Sequence, residues 1–256
     1  MNRADIGFLG LAASSILIAV AVAISLWRRL GLERELLWAA LRALVQLLIV
    51  GVALQLVVDD DDPLYFSAIW LVVMHVFAAY TTWRRARDVP SVFPLSLLAY
   101  SASAMVTLGV LFGFQVYELE GRTIVPLAGI VVGNSLSATV LVSRRLFDAA
   151  NERREEIEGR LALGLSANDA FRPILRESLR TGLIPQIEST KAVGIIALPG
   201  AMVGLILAGV EPADAVRVQI SVMYLVLGSV ATTTAVMSLG ISRKLFTSAD
   251  QLIRRD

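Results

Sequence analysis

Cysteine is absent from this 256-residue sequence, and histidine occurs only once, as His75. The first absence excludes disulfide bonds, thiolate metal sites and thiol redox chemistry. A closed metal site needs three or four ligands, so a lone histidine cannot build one. We therefore expect His75 to be a hydrogen-bonded packing residue, with contact to a cation in transit as the alternative.

Charge is also scarce. Only 18% of the residues are charged, whereas 56% are hydrophobic, and the mean hydropathy is +0.70. Soluble domains keep a lower apolar fraction. The apolar residues are gathered into blocks of about 20, the length of a helix that crosses about 30 Å of hydrocarbon. The sequence therefore predicts an all-α, multi-pass membrane helical bundle, with residues 1–256 forming a single membrane domain.

The apolar blocks predict seven transmembrane helices, at 6–27, 36–58, 64–83, 92–116, 123–142, 192–210 and 213–240. Basic residues concentrate at alternate connections, which include Arg28, Arg29, Arg34, Arg84, Arg85, Arg87, the long loop 143–191, Arg243 and Lys244. The opposite connections hold only Arg3 and Arg122. Because basic loops stay in the cytoplasm, we expect an outside N-terminus, a cytoplasmic loop between spans five and six, and a cytoplasmic C-terminus in the plasma membrane.

The overall charge balance argues against a nucleic-acid partner. The net charge is +1, and the long loop carries similar numbers of basic and acidic residues. One acidic run, Asp59–Asp62, falls in a predicted outer turn. Charge runs usually keep loops hydrated, so we expect a solvated turn, with attraction of cations to an entrance as the alternative.

The long loop 143–191 contains two predicted amphipathic pieces. Gly164 is expected to end the first helix, and Ser166 to cap the next, with Asp169 near its positive end. Proline fits poorly inside a helix. Pro173 therefore predicts a short separate helix over 167–172, with a new helix beginning at the proline.

The segment from Glu158 to Phe171 resembles the EAA-type loop of ABC importer permeases, in which a Glu, a Gly six residues later and a short helix dock into an ATPase. That resemblance implies a coupling role for Glu158, Gly164, Ser166, Asp169, Phe171 and Arg172, with Phe171 as the apolar anchor and Asp169 and Arg172 as its polar rim. The match is partial, because Gly159-Arg160 stands where the pattern has Ala-Ala. An ordinary pair of amphipathic surface helices is the alternative.

Pro199 and Gly200 lie near the middle of the predicted sixth span. Proline removes a backbone hydrogen bond and glycine relaxes the backbone, so this pair predicts a broken helix or hinge. Gly200 and Gly204 also form a G-x-x-x-G face that permits close helix packing. Hinge and packing roles are compatible.

Four residues are candidates for a translocation path: Gln46, Asn134, Met202 and Gln219. Gln46 and Asn134 lie deep in their predicted spans, where a polar side chain is costly unless it faces protein or water. Amides can equally hold two spans together. Arg42 lies close enough to the end of its span to reach the cytoplasmic surface.

Other membrane-protein classes fit the sequence less well. A retinal-binding pump needs a lysine in the last span and an embedded carboxylate; the last predicted span has no lysine, and no carboxylate lies deep in any predicted span. A passive channel or a purely structural bundle stays open as the alternative. The sequence also lacks the G-x-x-x-x-G-K-[ST] phosphate loop, so any ATP would be hydrolysed by another chain.

Several motifs recur in order along most of the chain: Leu37-Trp38-x2-Leu41-Arg42-x3-Gln46, Pro126-x-Ala-Gly129-x3-Gly133-Asn134, Leu183-Ile-Pro185-x2-Glu188-x2-Lys191-x-Val-Gly194, Leu198-Pro199-Gly200-x-Met202-x-Gly204 and Glu211-Pro212-x2-Ala215-Val-Arg217-x-Gln219. They resemble the FetB (YbbM-type) permease family, which includes plant aluminium-sensitivity permeases. The resemblance implies a non-enzymatic ABC transporter subunit that works as a homodimer, is associated with iron export, and binds a separate ATPase carrying ATP and Mg²⁺. It implies no cofactor on this chain.

Overall fold

The computed structural model describes residues 8–58 and 64–253. Within these ranges the chain forms nine α-helices: α1 (Phe8–Arg28), α2 (Glu33–Val58), α3 (Tyr65–Arg85), α4 (Val92–Gly113), α5 (Gly121–Glu152), α6 (Arg154–Ala162), α7 (Ala167–Ala192), α8 (Gly200–Leu207) and α9 (Pro212–Leu245). The all-α prediction is therefore confirmed for the described residues. The Asp59–Asp62 run lies outside them.

Five of these helices are long and apolar enough to cross a membrane: Glu33–Val52 within α2, and α3, α4, α5 and α9. The apolar part of α1, Ala12–Arg28, is shorter. The structure thus supports a multi-pass membrane protein. It does not confirm the predicted count of seven spans.

The predicted sixth span, 192–210, is interrupted over residues 193–199, where the sequence predicted a break at Pro199-Gly200. α7 ends at Ala192, and α8 begins only at Gly200. Between them Gly194 has a φ of +90°, a conformation that glycine adopts at low cost, and its N–H donates to the Ala197 carbonyl at 2.9 Å. Pro199 therefore precedes a helix, where its missing N–H costs nothing, and does not break one.

The predicted helix boundary at Pro173 is also wrong, because α7 continues through Pro173 and Pro185. Pro173 is exposed, and so is Asp169, whose carbonyl loses its helical partner. Water can replace that hydrogen bond. Phe171 and Ile174, on either side of the proline, are each about 1% exposed, so their burial outweighs the local preference of proline.

Contacts divide the chain into two compact units, of which the first contains α1, α2 and Gly204–Val210. In this unit α1 packs against α2 as a helical hairpin. Gly31, at φ +71°, makes the turn. The Ser25 hydroxyl donates to Glu33 at 2.7 Å and accepts from the Leu32 N–H at 3.2 Å. One functional domain over 1–256 stays a prediction.

The second unit contains α3 to α7, the start of α8, and α9. α9 is its central helix and packs against α4, α5 and α7, while α3 packs against α4 and α5. Two apolar clusters fill it. The loop-side cluster includes Leu146, Phe171, Ile174, Ile241 and Leu245, and the far cluster includes Leu108, Leu127, Val131, Val222 and Val226.

Buried hydroxyls join the helices between the clusters. The Ser103 hydroxyl on α4 donates to the Ser229 carbonyl on α9 at 3.0 Å. The hydroxyls of Thr233 and Thr234 donate instead to carbonyls of their own helix, each at 2.7 Å. Most of the polar atoms in this core are therefore satisfied locally, as membrane helices require.

Candidate coupling segment and translocation surface

The connection between α6 and α7 forms a sharply defined tip. Gly164, at φ +87°, ends α6, and the Leu165 N–H donates to the Arg160 carbonyl at 3.3 Å. The Ser166 hydroxyl accepts from the Asp169 N–H at 3.2 Å and donates to the Asp169 carboxylate at 2.8 Å. The predicted helix end at Gly164 and the predicted cap at Ser166 are both confirmed as local structure.

Ion pairs brace this tip. Arg153 and Arg160 each donate to the Glu156 carboxylate at 2.6 Å, and Arg160 also donates to the Ala170 carbonyl at 3.0 Å. The hydrogen bond from Arg160 to Ala170 ties α6 to the first turn of α7. The hydrogen bond from Arg153 lowers the pKa of Glu156, and the same bond raises the pKa of Arg153. Glu158 is half exposed and pairs with Arg154 at 2.7 Å.

Phe171 does not lie where an exposed docking anchor would. Its side chain is 1% exposed, and its ring packs edge-on against Phe246 with centroids 5.7 Å apart. The structure therefore corrects the predicted position of Phe171, because the amphipathic pattern of α7 places its side chain inside the bundle. Leu163, just before Gly164, is 81% exposed and is the apolar side chain that the tip presents. Leu163 could have been recognised in the sequence as an apolar residue that does not share the helical face of Ile157 and Leu161.

The remaining predicted coupling residues lie on exposed surface. Asp169 and Arg172 occupy the first turns of α7 and are exposed. No described residue forms an ion pair with Arg172. Their role as a polar rim stays a prediction.

Three of the four predicted path residues lie in the second unit, and Gln46 lies in the first. Asn134 is exposed on α5, and its amide donates to the Ile130 carbonyl at 2.8 Å. Gln219 on α9 is 5% exposed, and its carbonyl oxygen is buried without a partner among the described residues. Met202 is buried in α8, whereas Gln46 is exposed on α2 in the first unit.

α7 returns along the bundle beside α5 and does not stay at its end. Phe171 and Ile174 pack in one cluster with Leu146 and Ala150 of α5. Further along, a Cβ built on Gly182 would collide with Val142. The two helices are therefore antiparallel. Gly182 contacts Val142, the last residue of the predicted fifth span, 123–142. The rest of α7 therefore continues alongside that span, away from its predicted cytoplasmic end.

An ion pair lies in this deeper half of α7. Glu188 and Lys191 pair at 2.9 Å, with side chains 62% and 66% exposed. At 1.5 Å per residue, Glu188 is about 9 Å and Lys191 about 13 Å beyond Gly182 along the helix axis. Since Gly182 faces α5, helical periodicity turns Glu188 and Lys191 away from it.

Charged side chains at hydrocarbon depth are costly unless they meet water or protein. The surface of α7 that bears Glu188 and Lys191 therefore needs an aqueous or protein environment. The sequence contains the motif Glu188-x2-Lys191. The predicted cytoplasmic loop 143–191 would include both residues, and that boundary stays a prediction. Exposed Asn134 on α5 imposes the same requirement on a neighbouring helix.

The predicted hinge residues lie at the start and middle of α8. Gly200 is its first residue, and added Cβ atoms on Gly200 and Gly204 would meet no neighbour within 4 Å. The G-x-x-x-G face thus has no close partner among the described residues. Packing against another chain, and bending at Pro199, stay predictions.

His75 is 7% exposed, and its Nδ1 lies 2.6 Å from the Leu71 carbonyl. Its Nε2 is buried without a partner among the described residues. In the same ranges no three His, Asp or Glu side chains come together as possible metal ligands.

The model of an uncharacterised protein family, UPF0014, matches residues 8–246. The chain is 36% identical to the UPF0014 membrane protein STAR2 of Oryza sativa subsp. japonica, over 96% of this chain and 86% of the relative. It is 33% identical to the probable iron export permease protein FetB of Escherichia coli K12, over 99% and 97%. It is 31% identical to the protein ALUMINUM SENSITIVE 3 of Arabidopsis thaliana, over 94% and 88%. No solved structure gives a significant match.

Proposed function

Because the chain belongs to the UPF0014 family, which it shares with a probable iron export permease, we propose that it is the membrane permease subunit of an ABC transporter. The main observation in support is the Glu188–Lys191 ion pair. It lies on the face of α7 that points away from α5, which we call the outward surface of α7. A bundle with only a structural role in the membrane has no need for charges at this depth. A transporter needs such a surface beside its path.

The α6–α7 tip is the proposed ATPase docking element. It projects an exposed leucine, Leu163, from a turn fixed by Gly164 and Ser166. The ion pairs of Arg153, Glu156 and Arg160 hold the turn rigid. A rigid tip transmits displacement. Because α7 is continuous from Ala167 to Ala192, motion at the tip reaches Glu188 and Lys191 through one helix.

The proposed transport path runs beside the deeper half of α7. Glu188 and Lys191 line it, and exposed Asn134 contributes an amide from α5. Gln46, Met202 and Gln219 stay candidate path residues. The segment Gly194–Pro199 and the glycines of α8 follow directly and supply the proposed flexible joint.

A second copy of the chain is the proposed partner that encloses the path. The outward surface of α7 needs a covering, and the G-x-x-x-G face of α8 is unoccupied within the described chain. The oriented bundle would lie in the plasma membrane, with the α6–α7 tip in the cytoplasm beside two ATPase subunits. ATP and Mg²⁺ would bind to those subunits, and no cofactor is assigned to this chain.

Iron or a related metal is the proposed cargo. One relative carries iron export in its name, and the names of plant relatives include aluminium sensitivity. Among the described residues no cluster of three metal ligands exists. A cargo cation would therefore be passed along weakly by oxygen ligands such as Glu188 and the amides, which suits release.

Flux into inside-out vesicles tests this proposal. Inside-out vesicles holding the permease and a co-expressed ATPase with the phosphate-loop motif expose the cytoplasmic face, so ATP and Fe²⁺ are both added to the external medium. We expect ATP-dependent iron uptake that disappears without either protein. Equal uptake without ATP would instead establish the passive channel. No iron flux in either condition, with another metal transported on ATP, would retain the transporter and reject iron as cargo.

A further inference from the structure

A second polar site lies at the opposite end of α7. A cleft of about 320 Å³ opens between the first turns of α7 and the last turns of α9, lined by Asn168, Asp169, Phe171, Arg172, Leu175, Leu239, Ser242 and Arg243. This volume is at the lower end of the range for small-molecule sites. We infer that the cleft binds the phosphodiester headgroup of an anionic membrane lipid.

The charge of the cleft fits one negative group. Arg172 and Arg243 supply two guanidinium groups, and neither forms an ion pair with a described residue. The N-terminus of α7 adds a partial positive charge. Asp169 offsets one arginine, and its carboxylate accepts from the Ser166 hydroxyl at 2.8 Å. The net charge of about one suits a phosphodiester monoanion better than a doubly charged phosphate ester.

The hydrogen-bonding groups of the cleft include a hydroxyl without a partner. Ser242 is 8% exposed, lines the cleft, and makes no side-chain hydrogen bond with any described residue. Most serines on the buried face of α9 donate to a carbonyl of their own helix; Ser229 and Ser238 do so at 2.8 Å and 2.6 Å. Ser242 departs from this pattern where the cleft begins. Its hydroxyl is therefore available to a phosphate oxygen.

The polarity of the cleft follows the long axis of the bundle. Leu239 precedes Arg243 by about one turn on α9, and Leu175 follows Arg172 by about one turn on the antiparallel α7. Both leucines are thus deeper in the bundle than the arginines. Leu239 is 51% exposed. A phospholipid has the same order, with phosphate at the arginines and acyl chains at the leucines, whereas free phosphate would leave the leucines unused.

Lipid binding to the purified protein in detergent tests this assignment, with native mass spectrometry as the readout. We expect phosphatidylglycerol to bind more tightly than phosphatidylcholine, and more tightly than inorganic phosphate. Arg243→Gln should weaken phosphatidylglycerol binding about tenfold, because it removes a charge-assisted hydrogen bond, and Ser242→Ala about threefold. Lys244→Gln removes the same charge one residue away from the cleft and should change binding less than about twofold.

Three results would overturn the assignment. Equal losses in Arg243→Gln and Lys244→Gln would mean that only general surface charge attracts the lipid. Inorganic phosphate binding as tightly as phosphatidylglycerol would make this a free-anion site. Unchanged lipid binding in Arg243→Gln, together with weaker association with the ATPase, would make the cleft a protein docking site.

Discussion

Gly182 sets the closest approach between α7 and α5. An added Cβ would collide with a methyl group of Val142 and lie 3.8 Å from the Ala138 carbonyl. Valine is β-branched and has little rotamer freedom. Val142 therefore cannot adopt another rotamer at low energetic cost, and the spacing of α5 and α7 depends on Gly182.

Gly182→Ala should destabilise the bundle by about 1–3 kcal/mol, the usual cost of overpacking. The measurement is the thermal unfolding midpoint of the purified protein in detergent. Gly109→Ala is the matched control, because an added Cβ there meets no neighbour within 4 Å. That control should be neutral or slightly stabilising. An unchanged midpoint for Gly182→Ala would show that α7 does not pack closely on α5.

Phe171 and Leu163 show what the sequence could and could not predict at single residues. The motif located the tip correctly, since Gly164 and Ser166 have the predicted local geometry. It did not reveal which apolar side chain faces outward, because Phe171 fits both an anchor and a buried helix face. Its burial depends on Phe246, 75 residues later, a contact that sequence spacing does not report.

At the scale of the helix, α7 combines features that the sequence separates. Its charges predicted a cytoplasmic loop, and Pro173 predicted a boundary between two helices within it. The structure instead shows one helix of 26 residues, because a stripe of Ala167, Ala170, Phe171, Ile174, Ser178 and Gly182 is buried. The local preference of Pro173 for a helix start was overridden by the packing of α7 against α5 and α9.

The tip of α6 and α7 should respond to acid. The pKa of Glu156 is lowered from its ordinary value of 4.5, chiefly by the hydrogen bond from Arg153. A lowered pKa means that the ionised carboxylate stabilises the folded tip. This contribution is fully present above pH 4.5 and is lost as the pH falls through the lower, folded-state pKa.

Hydrogen exchange of residues 153–165 as a function of pH measures this effect. We expect protection to be constant at neutral pH and to decrease below pH 4.5, and we expect Glu156→Gln to have weaker protection at neutral pH. The Arg217–Asp214 pair at the start of α9 offers a comparison, because Asp214→Asn should leave residues 153–165 unchanged. A tip whose exchange is identical in wild type and Glu156→Gln at every pH would contradict the bracing role.

At the scale of the whole molecule, the account requires an aqueous surface along the deeper half of α7. Ile184 lies one turn from Glu188 and is 44% exposed. The absence of cysteine from the sequence allows single cysteines to be introduced without background. Ile184→Cys should react with a membrane-impermeant maleimide in membrane vesicles.

Leu98→Cys on α4 is the control, since Leu98 is 58% exposed on an apolar candidate span. It should react at least about tenfold more slowly, because thiolate formation is suppressed in hydrocarbon. Equal protection of both cysteines would place the outward surface of α7 in lipid and remove the proposed path.

The bundle as a whole was predictable because apolar blocks of membrane length report helices directly. Five of the predicted spans have counterparts among the candidate spans of the structure. The sixth did not form a single helix, since Gly194 and Pro199 favour a turn and a helix start. The path residues were harder, because depth in the membrane depends on how α7 packs.

Coupling between the tip and transport is the central claim, and Leu163→Asp tests it most directly. Phe171→Asp is unsuitable because Phe171 is buried, whereas Leu163 is 81% exposed and can be changed without loss of the core. Leu119→Asp, at an exposed leucine between α4 and α5, is the control. The measurement is substrate-stimulated ATP hydrolysis by the reconstituted permease and ATPase. The account predicts that Leu163→Asp abolishes the stimulation while Leu119→Asp retains it; full stimulation in Leu163→Asp would contradict it.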